Sequence, residues 1–273
     1  MLYQAFAPRP ALAPYIECFW ILEGAGGAAE TIFPDGRMEI VVHLGEPFRR
    51  FHDNGEAERQ ARSFLVGQMN RYLRVQPPPS AAVFGIRFRP GGSQAVLGFP
   101  QQEAADRLVA LDLIAKDLEP ELLAAPNTPG RIAAAGRWLL RRAGRLDPLA
   151  QAAVAGITKA GGLAPIRALA ANLGWSERHL ERRFRAAVGM GPKMFARILR
   201  FQRALRLLEQ PGGSGAARAA ECGYYDQAHL IRDFQQFAGQ TPSFYQEHQV
   251  QLGRFFTIPA APSSPILEAE EEA

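Results

Sequence analysis

One pattern is written twice between residues 165 and 245, and nothing else in the chain restricts its fold as strongly. The first copy reads Gly174-Trp-Ser-Glu-Arg-His179-Leu-Glu-Arg-Arg-Phe184, followed by Gly189, Pro192 and Phe195. The second reads Gly223-Tyr-Tyr-Asp-Gln-Ala-His229-Leu-Ile-Arg-Asp-Phe234, followed by Gly239, Pro242 and Tyr245. From the histidine onward the spacings are the same (five, five, three, three), and the copies lie 50 residues apart. Two blocks in register are an internal duplication, so each copy is one supersecondary unit.

Each unit opens with a short apolar stretch, Ile166–Leu173 in the first and Ala216–Cys222 in the second. A glycine, free to take positive φ, closes it. Ser176 and Asp226 then stand where an N-cap belongs. Leu180 and Phe184, like Leu230 and Phe234, fall at i and i+4 on one helical face. Helix, glycine turn and second helix form the helix-turn-helix plan, whose second helix enters the DNA major groove. Arg178, Glu181, Arg182 and Arg185 lie opposite the first apolar stripe, and Gln227, His229 and Arg232 near the start of the second helix.

On these residues, positions 149–248 resemble the DNA-binding domain of the AraC/XylS family of bacterial transcription regulators. The second copy carries the family's signature as Gly223-Tyr, His229-Leu, Phe234, Gly239, Thr241-Pro242 and Tyr245. The resemblance implies a long helix, Pro192–Gln210, joining two helix-turn-helix units, with Phe195, Ile198, Leu199, Gln202 and Leu205 facing inward. It implies that both recognition helices read successive major grooves on one face of the duplex. Carried over by position, Arg178, Glu181 and Arg182 are base-reading in the first unit, and Gln227, Ala228, His229 and Arg232 in the second. Ala228 can offer only a methyl contact to thymine. His179 and His229 suit packing or phosphate as well as bases, and Arg185 shares the exposed face. Lys193 and Arg200 can reach phosphate, although arginines at 197, 200, 203 and 206 also make a solvated helix face.

Charge follows the same division. Residues 165–248 hold 12 Lys and Arg against 7 Asp and Glu, residues 1–164 hold 18 against 16, and the remainder holds 1 against 4. A basic C-terminal module fits a polyanionic partner. The length of 273 residues suits two domains, and 47% apolar with 21% charged residues is a globular composition. Two cysteines without sequence-near partners, Cys18 and Cys222, point to the cytoplasm. The N-terminus lacks a signal-peptide plan, and no apolar stretch reaches the roughly 20 residues that span a bilayer.

Residues 1–100 read as strands and turns. Tyr15–Leu22, Thr31–Phe33, Met38–Leu44, Phe64–Gly67, Tyr72–Val75 and Ala82–Phe88 are β-rich runs, with a hairpin tip at Asp53-Asn-Gly55. Pro34-Asp-Gly36 is a turn in which Pro fixes φ and Gly supplies the unusual dihedral. Many short strands suggest a barrel or sandwich. After Pro100 the period becomes helical, over 101–109, 111–118 and 129–143. The order of parts again resembles the family, whose N-terminal domain is often cupin-like and followed by a dimerisation helix. The phrases Pro34-Asp-Gly-Arg-Met-Glu39, Phe64-Leu-Val-Gly-Gln68 and Phe84–Gly92 resemble one uncharacterised N-terminal class of such regulators. The expected organisation is therefore α+β. It comprises a β-rich barrel or cupin-like sensor domain (1–100), a helical dimerisation or linker element (101–146) and an all-α DNA-binding domain (147–250). The units of the last span 165–188 and 216–238, and a disordered acidic tail follows (254–273).

Asp35, Arg37 and Glu39 alternate along a strand and so share one face. With Arg87 they form a candidate effector site, an Arg-carboxylate cluster for a small polar or anionic molecule. Arg89 and His43 lie close in sequence to it, and the plainer reading is an exposed strand face with Asp35 capping a turn. No metal and no cofactor are expected. His-x-His is absent, only His43 and His52 occur in this half, and two cysteines cannot supply the four-cysteine zinc site of the family's alkyl-damage repair variants. No catalytic residue is expected, since there is neither a Gly-x-Ser-x-Gly nor a phosphate loop, and Cys18 sits among Phe19 and Trp20. The expectation is a homodimeric, sequence-specific DNA-binding activator, not an enzyme. Its partners would be double-stranded DNA, RNA polymerase and an unidentified small effector, with no membrane. The alternative makes the N-terminal domain an enzyme or protein-partner module that the C-terminal domain targets to DNA.

Overall fold

A computed structural model describes residues 1–209 and 215–247. The expected acidic tail at 254–273 lies outside these residues. The first half contains strands β1 (Leu2–Phe6), β2 (Ile16–Ala25), β3 (Glu30–Ile32), β4 (Glu39–His43), β5 (Arg49–Phe51), β6 (Ala57–Arg59), β7 (Ser63–Val66), β8 (Leu73–Gln76), β9 (Ser80–Phe88) and β10 (Leu108–Ala110). They form two antiparallel sheets, ordered β1-β2-β9-β4-β7-β10 and β3-β8-β5-β6. The ladders among the described residues leave both sheets open, so the architecture is a sandwich of two sheets and not a closed barrel.

The central strands are apolar on both faces because both are covered. Phe19, Ile40, Ile86 and Phe88 share one core with helices α1 (Gly92–Leu97), α2 (Leu118–Ala124) and α3 (Thr128–Arg142). Trp20, Val41, Phe64 and Val83 point into the space between the sheets. Helix α3 starts where the Asn127 side chain accepts from the Gly130 N–H, and it buries Ile132, Ala135, Trp138 and Leu139. The region expected as a dimerisation element thus packs onto the larger sheet. Its first part differs from the helix expected over 101–109. Only Gln101–Ala104 makes a helical turn, of the tighter 3₁₀ kind. Asp106 then takes a φ of 54°, fixed by its carboxylate accepting from the Asn70 backbone N–H and side-chain amide, and β10 follows against β7.

The second half is helical: α4 (Pro148–Lys159), α5 (Ile166–Asn172), α6 (Glu177–Val188), α7 (Pro192–Leu208), α8 (Gly215–Glu221), α9 (Gln227–Ala238) and α10 (Pro242–Glu247). Asp147 caps α4 by accepting from the Leu149 and Ala150 N–H groups, and its other oxygen pairs with Arg183 Nε at 2.6 Å. One aromatic core holds the helices together. Phe201 on α7 meets Phe234 and Phe237 on α9 with centroids 5.2 Å apart, and Phe195 meets Phe184 at 5.6 Å.

Candidate nucleic-acid interface and the adjoining cavity

The two copies of the repeat become two like-shaped units. In the first, Gly174 turns the chain at φ 75° and Ser176 Oγ accepts from the His179 N–H at 3.2 Å. In the second, Gly223 turns at φ 74° and Asp226 Oδ1 accepts from the His229 N–H at 2.6 Å. A side chain at 223 would also meet Leu163, so both space and dihedral demand glycine there. Leu180 and Phe184, and Leu230 and Phe234, are fully buried, which turns the opposite faces of α6 and α9 outward.

On α6, Arg178, Arg182 and Arg185 are exposed, and Glu181 pairs with Arg185 at 2.8 Å. Arg182 reaches His179 Nδ1 at 3.3 Å, and the His179 ring stacks on Trp175 at 4.2 Å and 10°. On α9, Gln227, Ala228 and Arg232 are exposed, whereas His229 is half-buried, edge-on to Tyr224 at 5.1 Å. Lys193 is exposed and pairs with Glu177 at 2.5 Å. Arg200 faces inward: it donates to the Gly162 carbonyl at 2.9 Å and lies over the Tyr224 ring. Two exposed aromatics beside α6 and α9 were not singled out from the sequence, Trp175 (45% exposed) and Tyr225 (94%). Their signal was their place, directly before each N-cap.

In the N-terminal half the alternating residues converge on a buried cluster. Arg87 pairs with Asp35 and with Glu39, and its Nε lies 3.9 Å from Glu17. Arg37 pairs with Glu17 at 2.6 Å. Glu17 is the member that sequence reading missed; it sits at the β-bulge between Ile16 and Cys18, a device that re-aims a side chain. Burial works against the Arg87 charge, but Asp35, Glu39 and Glu17 outweigh it and hold it firmly protonated. Glu39 shares that guanidinium with two other carboxylates, so burial prevails over Arg87 and pushes its pKa up to about 7. Of the plainer sequence reading, the exposed strand face is not what forms, but Asp35 does cap its turn, Oδ1 accepting from the Arg37 N–H at 2.9 Å. Arg89 lies outside the cluster, exposed, donating to the Ala13 carbonyl.

Asp35, Arg37, Glu39 and Arg87 of the cluster form one end of an apolar cavity between the sheets, lined also by Trp20, Leu22, Phe64, Val75 and Val83. His43 lies in its wall, tilted against Phe48 and Phe64 and hydrogen-bonded through Nε2 to Gln60 at 3.1 Å. Burial lowers its pKa to about 4. Burial likewise pushes the Cys18 thiol up to about 12, which leaves it inert.

Two loops of the cavity wall dock onto the helical half. Phe33 lines the cavity, yet belongs to the helical core, edge-on to Phe201 at 6.0 Å and to Tyr245 at 5.9 Å. The Pro34 carbonyl accepts from Gln202 Nε2 at 2.7 Å, and Gly36 lies against the Phe195 ring. The second loop, 68–72, contributes Met69 to the cavity wall. Gln68 packs at Gly189, which ends α6, and Tyr72 at Gly239, which ends α9. Among the described residues no group of three His, Cys, Asp or Glu is placed to hold a metal ion, and no helix is long and apolar enough to cross a membrane.

Two family models match, a domain of unknown function (DUF6597) over residues 4–110 and a helix-turn-helix domain over residues 169–248. Among solved structures, the DNA-binding domain of AdpA, a global transcriptional factor in complex with a target DNA, is 30% identical. It covers 37% of this chain and 91% of that one, with a TM-score of 0.34. The C-terminal domain of AraT, a response regulator from Geobacillus stearothermophilus, is 22% identical, covering 39% and 90%, at 0.37. ToxT from Vibrio cholerae is 11% identical, covering 84% and 97%, at 0.46. No curated protein matches the chain.

Proposed function

The chain belongs, through its C-terminal domain, to the AraC/XylS family of DNA-binding transcription regulators, and on that premise we propose that α6 and α9 read two successive major grooves under the control of the N-terminal domain. The repeat supports the first part. Both helices are capped alike, bury the same two positions and turn their opposite faces outward. Successive grooves on one face lie about 34 Å apart, so one protomer covers roughly two turns of duplex. Arg178, Arg182 and Arg232 carry the contacts to base edges, with Lys193 and Arg185 on phosphate. Arg200 acts from inside, holding the turn before α9.

The observation that carries the second part is Phe33, which touches the cavity on one side and the core of the DNA-binding domain on the other. An occupant of the cavity bears on the helix joining both units without touching DNA. Activation through RNA polymerase and homodimerisation through α2 and α3, where Leu123 and Leu140 are exposed, complete the reading. Selection of bound fragments from the source genome with the purified full chain tests it. A shared motif with two half-sites one helical turn apart is expected. Indifference to all fragments at low salt would sink it.

A further inference from the structure

The cavity has a chemical polarity that restricts what can fill it. Two carboxylates, Asp35 and Glu39, line its charged end beside Arg37 and Arg87, and a third, Glu17, pairs with those guanidinium groups from outside the lining. Both guanidinium groups already hold carboxylates, so an incoming anion would find its cations committed and the two lining carboxylates beside it. An incoming cation would find a carboxylate with only a share of Arg87. The raised pKa of Glu39 says the same: at that carboxylate burial is not fully offset by Arg87.

The far wall repeats the preference. His43 is 1% exposed, and its Nε2 faces the amide oxygen of Gln60. That oxygen accepts, so the ring proton sits on Nε2 and Nδ1 is a bare acceptor. Nδ1 is buried and has no hydrogen-bond partner. The low pKa of His43 keeps the ring neutral, so it offers no charge to an anion. An acceptor thus stands at each end of a greasy space, beside guanidinium groups that already hold carboxylates, which favours an occupant that brings donors. The space itself is small, about 70 Å³, room for roughly five waters. Between the ends lie Trp20, Leu22, Phe64 and Val83, which suit a short hydrocarbon of a few carbons.

We propose that the effector of this regulator is a small lipophilic amine, bound with its ammonium group at Glu39 and Asp35 and its apolar body between the sheets. This deepens the effector-control reading above and rests on it. It replaces the anionic class among those open to an arginine-carboxylate cluster.

The test uses the full chain without DNA, at about pH 8, where a free Glu39 carboxyl is ionised and a primary amine keeps its proton. Three matched probes sized to the cavity are titrated by calorimetry and by tryptophan fluorescence, since Trp20 lines it: n-butylamine, 1-butanol and pentanoate. The amine is expected to bind and to raise the melting temperature, the alcohol to bind more weakly, and the acid not to bind. Glu39→Gln is expected to weaken the amine roughly tenfold or more and to leave the alcohol little changed. The acid binding more tightly than the amine overturns the proposal, as does silence of the amine at millimolar concentration. The unaltered protein decides these two outcomes, so the result does not depend on the variant folding. DNA retention is measured separately without any amine. Binding of DNA but not the amine removes this proposal alone, and binding of the amine but no DNA removes the regulator reading alone.

Discussion

Arg182 stands free on α6 apart from its contact to His179, so its loss disturbs recognition and little else. Arg182→Ala is expected to cost about 1–3 kcal/mol of DNA affinity and to relax preference at one base pair. Binding across single-base operator variants checks it, and equal losses on every sequence would mean a phosphate contact. Glu39 and His43 give opposite pH signatures. The Glu39 pKa rises from 4.5 to about 7 on folding, so the stability it lends at low pH is lost as pH climbs across that interval. His43 falls from 6.5 to about 4, so its share is present above that range and lost as pH drops through it. Glu39→Gln therefore gains on the wild type between about pH 4.5 and 7 and then levels off. Urea midpoints across pH measure the trend, and a narrowing in the other direction would contradict it. The caps at Ser176 and Asp226 were readable because their partners are three residues away. Glu17 was not, because its partners come from Arg37 and Arg87, and only a bulge brings it among them.

Helix α7 shows how elements are tied. Arg197 on it pairs with Asp233 on α9 at 2.7 Å, and the Asp233 side chain is only 3% exposed. Arg197→Ala leaves that carboxylate buried without its partner. A cost of about 3 kcal/mol is expected, at the lower end for a broken buried pair because Arg197 reaches solvent. Chemical denaturation measures it; a loss too small to resolve would place the pair among ordinary surface bridges. Helices α4 to α9 of this half were legible from their period and caps, whereas α10 was not. The 101–118 region was not. Its apolar spacing fits a helix, but Asp106 turns the chain left-handed and β10 finds a partner in β7 that local spacing does not encode. Strand β1 and helix α1 escaped notice for the same reason: the first is defined by β2, the second by its burial beneath α3 and α6.

At the scale of the molecule, the order of parts could be read in the sequence, but their docking could not. Gln202 and Pro34 stand 168 positions apart, beyond any periodicity. Docking through an aromatic shared by both halves implies joint unfolding. Phe33→Ala should cost about 3 kcal/mol or more and split one thermal transition into two. Calorimetry decides it, and a single transition at lower temperature would show that other contacts suffice.

Phe33 belongs to two neighbourhoods at once, and that has an evolutionary cost. If the cavity takes the proposed effector, any change there that retunes chemical taste also alters the core behind α6 and α9, so descendants of this chain should diversify ligand preference along the Trp20 and Val83 wall and leave the shared aromatic alone.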